Sequence, residues 1–213
     1  MKSVRIFFTK SGQMKFVSHL DMNRFMSRAL KRAEIPIWYT EGYNPHPYIN
    51  FALPLSLGFE GRYEIMDIKT EDEIGFDDIF KRLSAVCPDG IKILSVSEPI
   101  EKNSHIGFAR FEIVFDTQSS TFFEHLQTFL NRDSIICTKT TKKGGSKEID
   151  LAPKIRQKNI SGNTLMLLLP AGPKENINPT LLLDAFFEQT DSEYVCYSVT
   201  RTEILDDGFK PFR

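Results

Sequence analysis

With 213 residues, 41% of them hydrophobic and 26% charged, the chain has the balance of an ordinary globular protein, enough for one large domain or two small ones. A net charge of -1 does not advertise a polyanionic partner for the molecule as a whole, and no apolar run approaches the roughly 18 residues needed to span a bilayer. The opening Met1-Lys2-Ser3-Val4-Arg5 lacks the pattern of a secretion signal, and Cys87, Cys137 and Cys196 are too far apart for a metal motif or a disulfide framework, so buried free thiols in a reducing cytoplasm are expected.

In chain order, Val4 to Lys10 reads as a strand, with Val4, Ile6 and Phe8 alternating against Arg5, Phe7 and Thr9. Ser11-Gly12-Gln13 is a turn. Ser18, followed three residues later by Asp21, reads as the N-cap of a helix that runs to about Ala33 and stops before Pro36. Ile37 to Thr40 is a short strand, Glu41 to Pro47 a turn-rich loop, and Tyr63 to Lys69 another strand. Phe76 to Val86 is a helix closed by Pro88-Asp89-Gly90, and Ile91 to Glu98 is a strand. The polar stretch from Pro99 to Ser104 breaks the pattern and places a domain boundary there.

The order then begins again. Gly107 to Phe115 is an alternating strand, and Ser119 to Asn131 a helix capped by Ser119 or Ser120. Ser134 to Thr140 is a strand, Lys142 to Ser146 a turn, and Lys147 to Leu151 a short return strand. Thr164 to Leu169 is a strong strand. Asn178 caps a helix to Gln189 with Pro179 in its first position, and Tyr194 to Leu205 is the last strand. The expected class is therefore α+β: two tandem ferredoxin-like β-α-β-β-α-β domains with antiparallel sheets, residues 1–99 and 105–213. Tandem domains of this kind recur in RNA-handling proteins, an analogy of fold alone.

Charge is segregated along the chain. Residues 1–60 hold eight basic against four acidic side chains, net +4, and residues 138–158 hold seven against two, net +5. Residues 60–80 hold eight acidic against two basic, net -6. Such zones can steer a partner that the total charge would not attract.

The stretch from Phe16 to Phe59 concentrates polar chemistry. At 3.6 residues per turn, Met22, Met26, Ala29 or Leu30, and Ala33 share the apolar face of the first helix, while Asp21, Arg24, Arg28, Lys31 and Arg32 cluster opposite. Arginines four residues apart present planar donor forks suited to phosphate, although the same stripe also serves as a solvated face. Ser18, His19 and Asp21 lie at the helix start, where free backbone N–H groups favour anions, and Lys10 with Gly12 precedes it, so a phosphate could sit there. Pro45 and Pro47 bracket His46 after Asn44 and stiffen it, as a directing residue or as part of a rigid turn. His19 and His46 as a zinc pair would need Asp21 or Glu41 as well, and their spacing matches no common metal motif. As an acid and base they could cleave RNA. The Lys142-Lys143-Gly144-Gly145-Ser146-Lys147 tip suits contact with a phosphate backbone or a solvated hairpin equally.

The run from Lys10 through Phe16, Ser18, His19, Asp21, Arg24 and Arg28 to Glu41, Gly42, Asn44, Pro45 and His46 resembles the radical-SAM-linked protein family, a bacterial domain of unknown function. Phe51, Pro54, Gly58, Glu64 and Asp67 extend the likeness, as do the later "EIDLAPKI" and "VTRTEIL" segments, although Ala152 stands where that family tends to carry a basic residue. The resemblance implies a domain that occurs alone or appended to a radical SAM enzyme. It also implies genes near a ribonuclease of the E/G type and ribosomal proteins, hence a cytoplasmic role near RNA. The chain has no CxxxCxxC and cannot itself hold the radical SAM cluster, and its residues call for no cofactor or metal.

The expected function is a non-catalytic RNA-binding or substrate-presenting module. Its ligand-binding residues would be Lys10, Ser18, His19, Asp21, Arg24, Arg28, Glu41, Asn44 and His46, with RNA and a radical SAM enzyme as partners and no membrane. One alternative is an adaptor docking a separate radical SAM enzyme through the acidic zone. Another is a metal-independent endoribonuclease using His19 and His46 as its catalytic pair. An accessory or binding domain is favoured over an independent enzyme.

Overall fold

The computed structural model describes residues 1–71, 73–140 and 146–213. The Lys142-Lys143-Gly144-Gly145 tip and Asp72 lie outside the described residues. The architecture is mixed α+β, with four helices among the described residues and a mostly antiparallel set of strands. No described helix is long and apolar enough to cross a membrane. The chain divides into two compact units: Met1–His105 with Arg201–Ile204 and Pro211–Arg213, and Ile106–Thr200 with Leu205–Lys210.

In the first unit, β1 (Lys2–Lys10) lies between β3 (Glu60–Thr70) and β4 (Ile91–Ser97), antiparallel to both, with Ile6 opposite Met66 and Val96. The short β2 (Ile49–Phe51) pairs with the far half of β3, Phe51 opposite Met66. The strand order is thus β4-β1-β3-β2 in this unit, to which Arg201–Ile204 of β10 (Tyr197–Asp206) also belong. Val4, Ile6 and Phe8 point to one face, where α1 (His19–Arg32) and α2 (Phe76–Val86) cover them. Met22, Met26, Ala29 and Leu30 of α1 and Ile79 and Leu83 of α2 are buried in this layer, the face that the 3.6 period selects.

Helix α1 has the ends its sequence encodes. The Ser18 hydroxyl accepts from the Asp21 N–H, and Glu34 takes the left-handed conformation (φ 53°) that turns the chain out of the helix before Pro36. The expected strand at Ile37–Thr40 does not form. Only two isolated bridges occur there, Ile37 to Thr70 and Tyr39 to Pro47, because Pro36 and Pro47 offer no N–H to a ladder and the Thr40–His46 contacts fold the chain back. The Ser11-Gly12-Gln13 turn opens a 3₁₀ helix, Gly12–Phe16.

In the second unit, β5 (Ile106–Phe115) pairs with β9 (Thr164–Pro170), and β9 with β8 (Gln157–Ser161), giving β10-β5-β9-β8. Helices α3 (Ser120–Leu130) and α4 (Pro179–Gln189) bury a phenylalanine cluster in which Phe186 meets Phe122 and Phe129 edge-on at 5.5 and 5.4 Å. Ser119 and Asn178 cap these helices as the sequence predicts. Two expectations are corrected. Among the described residues the strand β6 (Ile136–Thr140) pairs with β7 (Ser146–Asp150) alone, in a separate hairpin, and the sheet position beside β9 belongs to β8, a strand not expected from the sequence. Four of its five residues are exposed, so no apolar alternation marks it.

Candidate functional site

The arginines of α1 form one wall of a groove. Arg24, Arg28 and Arg32 line a cleft of about 540 Å³ together with Asp21, Phe25, Val86 and Pro88. Four-residue spacing stacks the three arginines along one side of α1. The end of α2 supplies the apolar floor, and the Arg32 guanidinium donates to the Val86 carbonyl at 3.2 Å, which ties the two helices. Arg24 donates to Asp21 at 3.0 Å, an exposed pair that salt screens. The Ser18 hydroxyl, and after it Arg24, hold the Asp21 carboxyl below the ordinary carboxylate range. Arg28 has no hydrogen-bonding or ionic partner among the described residues, leaving its donor fork open to a ligand.

Lys10 is placed differently from the sequence expectation. Its side chain is buried, and its ammonium donates to the Val17 carbonyl at 2.8 Å, on the inner side of the helix start. Burial holds its pKa below the usual lysine range, with Glu64 opposing that shift and Arg201 adding to it. Lys10 is thus a structural cation and not an open phosphate ligand.

His19 is exposed and meets Phe51 edge-on at 5.2 Å. His46 sits in the exposed loop with Glu41 and Asn44. Its backbone N–H donates to the Thr40 hydroxyl, and its Nδ1 lies 3.1 Å from the Asn44 carbonyl and 3.0 Å from the Thr40 hydroxyl. The Asn44 carbonyl can only accept, whereas the Thr40 hydroxyl can donate or accept, so the two contacts hold the ring in place whichever nitrogen carries its proton. No hydrogen bond or ring contact joins His19 to His46. Among the described residues no three His, Cys, Asp or Glu side chains converge as a metal site.

Two buried ionic groups escaped the sequence reading. Arg201 donates through Nε to Glu64 Oε1 at 3.0 Å and through Nη2 to Glu64 Oε2 and the Leu53 carbonyl; both side chains are almost fully enclosed. Arg5, only 1% exposed, donates to both Asp67 oxygens at 2.7 and 2.9 Å and to Asn103 at 2.8 Å, with the centre of the Phe212 ring 4.7 Å from its guanidinium carbon. The signal was present: Arg201 alternates in phase with the core residue Val199, and Arg5 lies on the same face of its strand as Phe7. The acidic zone is correspondingly thinner than it reads. Glu64 and Asp67 face these arginines and Glu60 lies 3.7 Å from Lys15, whereas Glu71, Glu73, Asp77 and Asp78 stay exposed. Of the cysteines, Cys137 is buried and Cys87 half-buried, but Cys196 is exposed, contrary to expectation.

The scaffold is α+β, and the groove beside α1 is its arginine-lined feature. The chain belongs to the family described as "Uncharacterized protein conserved in bacteria (DUF2344)", whose model matches residues 3–179. No curated protein matches it. Among solved structures it is similar to "Crystal Structure of an Unknown Protein from Galdieria sulphuraria", at 11% identity over 94% of this chain and 98% of that chain, with a TM-score of 0.29, too low to carry an argument.

Proposed function

We propose that the protein is a non-catalytic RNA-binding or substrate-presenting module of the bacterial cytoplasm, working beside a radical SAM enzyme or RNA-processing machinery. The observation that carries this reading is the groove, where three arginines stand in a row above Phe25, Val86 and Pro88. Guanidinium groups match phosphate oxygens bidentately, and a row of them suits a chain of phosphates better than a single anion. The strand orders β4-β1-β3-β2 and β10-β5-β9-β8 are those of a split β-α-β unit, which supports two ferredoxin-like copies, one in each unit. The resemblance to the radical-SAM-linked family supplies the expected enzyme partner.

The test is binding of the pure protein to total cellular RNA at low salt. Arg24→Ala with Arg28→Ala should weaken it across all sequences, with the fold kept because both side chains are exposed. Equal binding by that variant would make the stripe a solvated face. A second reading, an adaptor for the radical SAM enzyme, draws on Glu71, Glu73, Asp77 and Asp78, which remain exposed around the start of α2. Co-purification that survives charge reversal at Glu71 and Glu73 would reject that surface. The endoribonuclease alternative finds no contact between His19 and His46 to support it.

A further inference from the structure

We infer that the ligand of the arginine groove is an unpaired strand, whose bases rest on an exposed apolar platform at the N-terminal end of α1. This rests on the RNA-binding reading and specifies its substrate. Leu20 lies one helical step before Arg24, as Arg24 does before Arg28, so it continues the stripe in the direction of the helix start. Leu20 is 60% exposed, and two further large apolar side chains lie open in the segments that meet there, Phe16 at 62% and Leu57 at 63%. The Gly58 N–H donates to the Lys15 carbonyl at 2.9 Å, which holds the Leu57–Gly58 turn against the Lys15–Phe16 segment. The Lys15 ammonium lies 5.4 Å from the centre of the Phe16 ring and 3.7 Å from Glu60, so the platform's edge carries an ion pair while the net cationic charge comes from the arginines.

Single exposed apolar residues are common, but three carried by segments that meet near the end of a cationic row are a different matter. A protein that tracks a single strand combines charges for the phosphates with flat apolar surface for the bases. A duplex hides its base faces and offers only phosphates and groove edges, so it could engage the arginines but not Phe16, Leu20 and Leu57. Charge thus selects the occupant: the platform continues a row of cations, which suits a polyanion with apolar faces.

The experiment compares an unstructured RNA of about ten nucleotides, its duplex, and inorganic polyphosphate as a base-free polyanion, for the wild type, Phe16→Ala/Leu20→Ala and Arg24→Ala/Arg28→Ala. The wild type should prefer the single strand over the duplex by about tenfold, and the apolar variant should lose about that factor for the single strand alone. The arginine variant should lose all three ligands. If the apolar variant binds the single strand as wild type does while the arginine variant fails, the platform inference falls and the RNA reading stands. If the arginine variant binds normally, or the wild type binds no RNA, both fall. Self-association abolished by Phe16→Ala/Leu20→Ala would assign the platform to a second copy and overturn the inference. Unchanged far-ultraviolet circular dichroism keeps misfolding apart from these outcomes.

Discussion

Arg201→Met tests the most consequential burial in the first unit. Arg201 is 3% and Glu64 4% exposed, and the guanidinium is bonded to both Glu64 oxygens and to the Leu53 carbonyl. Methionine keeps much of the volume and removes every donor, leaving a buried carboxylate with Lys10 as a nearby cation. Removing one partner of a buried pair costs about 3–5 kcal/mol, against a total stability of about 5–15 kcal/mol for a typical domain. Lys10 softens this toward the lower figure. Urea unfolding followed through Trp38, the single tryptophan and a residue of the same unit, would read the loss. In a thermal scan it corresponds to a drop of roughly 6–20 °C, from about 2–4 °C per kcal/mol at this chain length. Adding Glu64→Gln should recover part of it, since the orphaned charge is then gone. A loss below about 1 kcal/mol, or no recovery in the double variant, would refute the claim that the pair is desolvated and mutually dependent.

Three further outcomes follow from the same packing. Gly61→Ala should destabilise the first unit, because a Cβ there would lie 2.3 Å from Glu64 Oε1 and that carboxylate is pinned by Arg201; Arg201→Met should shrink the penalty, and a neutral Gly61→Ala would contradict the contact. Lys10→Met should leave RNA affinity within about twofold of wild type, since its ammonium is turned to the Val17 carbonyl; a loss matching that of Arg28→Ala would return Lys10 to the interface. Burial pushes the Cys87 and Cys137 thiols up to about 11 from an ordinary 9.0. The unfolded chain therefore releases these protons first, so their contribution is whole below pH 9.0 and lost as pH rises through about 11. Urea midpoints across that window should fall, and fall less in Cys87→Ala/Cys137→Ala, whereas equal slopes in both proteins would refute the assignment.

What the sequence made legible was local. Ser18 with Asp21 and Asn178 with Pro179 mark helix starts because capping acts within three residues, and the Met22-Met26-Ala29-Leu30 face follows from helical period alone. The arginine stripe was legible for the same reason, being the other side of that period. Its floor was not, because Val86 and Pro88 come from the end of another helix and only tertiary packing brings them beside Phe25. The inward turn of Lys10 was equally hidden, since an ammonium buried against a carbonyl reads in sequence like any surface lysine. β8 escaped because a polar edge strand has no apolar alternation, and Ile37–Thr40 misled because β-branched and aromatic residues there lack a continuous partner.

The central claim is that Arg24, Arg28 and Arg32 hold a phosphate chain, and the salt dependence of RNA binding tests it most directly. Each neutralised phosphate of a single strand contributes about -0.7 to the slope of log affinity against log salt, so three contacts predict a slope change of about 2 when all three arginines become alanine. A triple variant that binds weakly and with a slope flatter by about that amount would place the phosphates on the stripe. A triple variant retaining the wild-type slope would put the electrostatic contact elsewhere on the molecule and contradict the account.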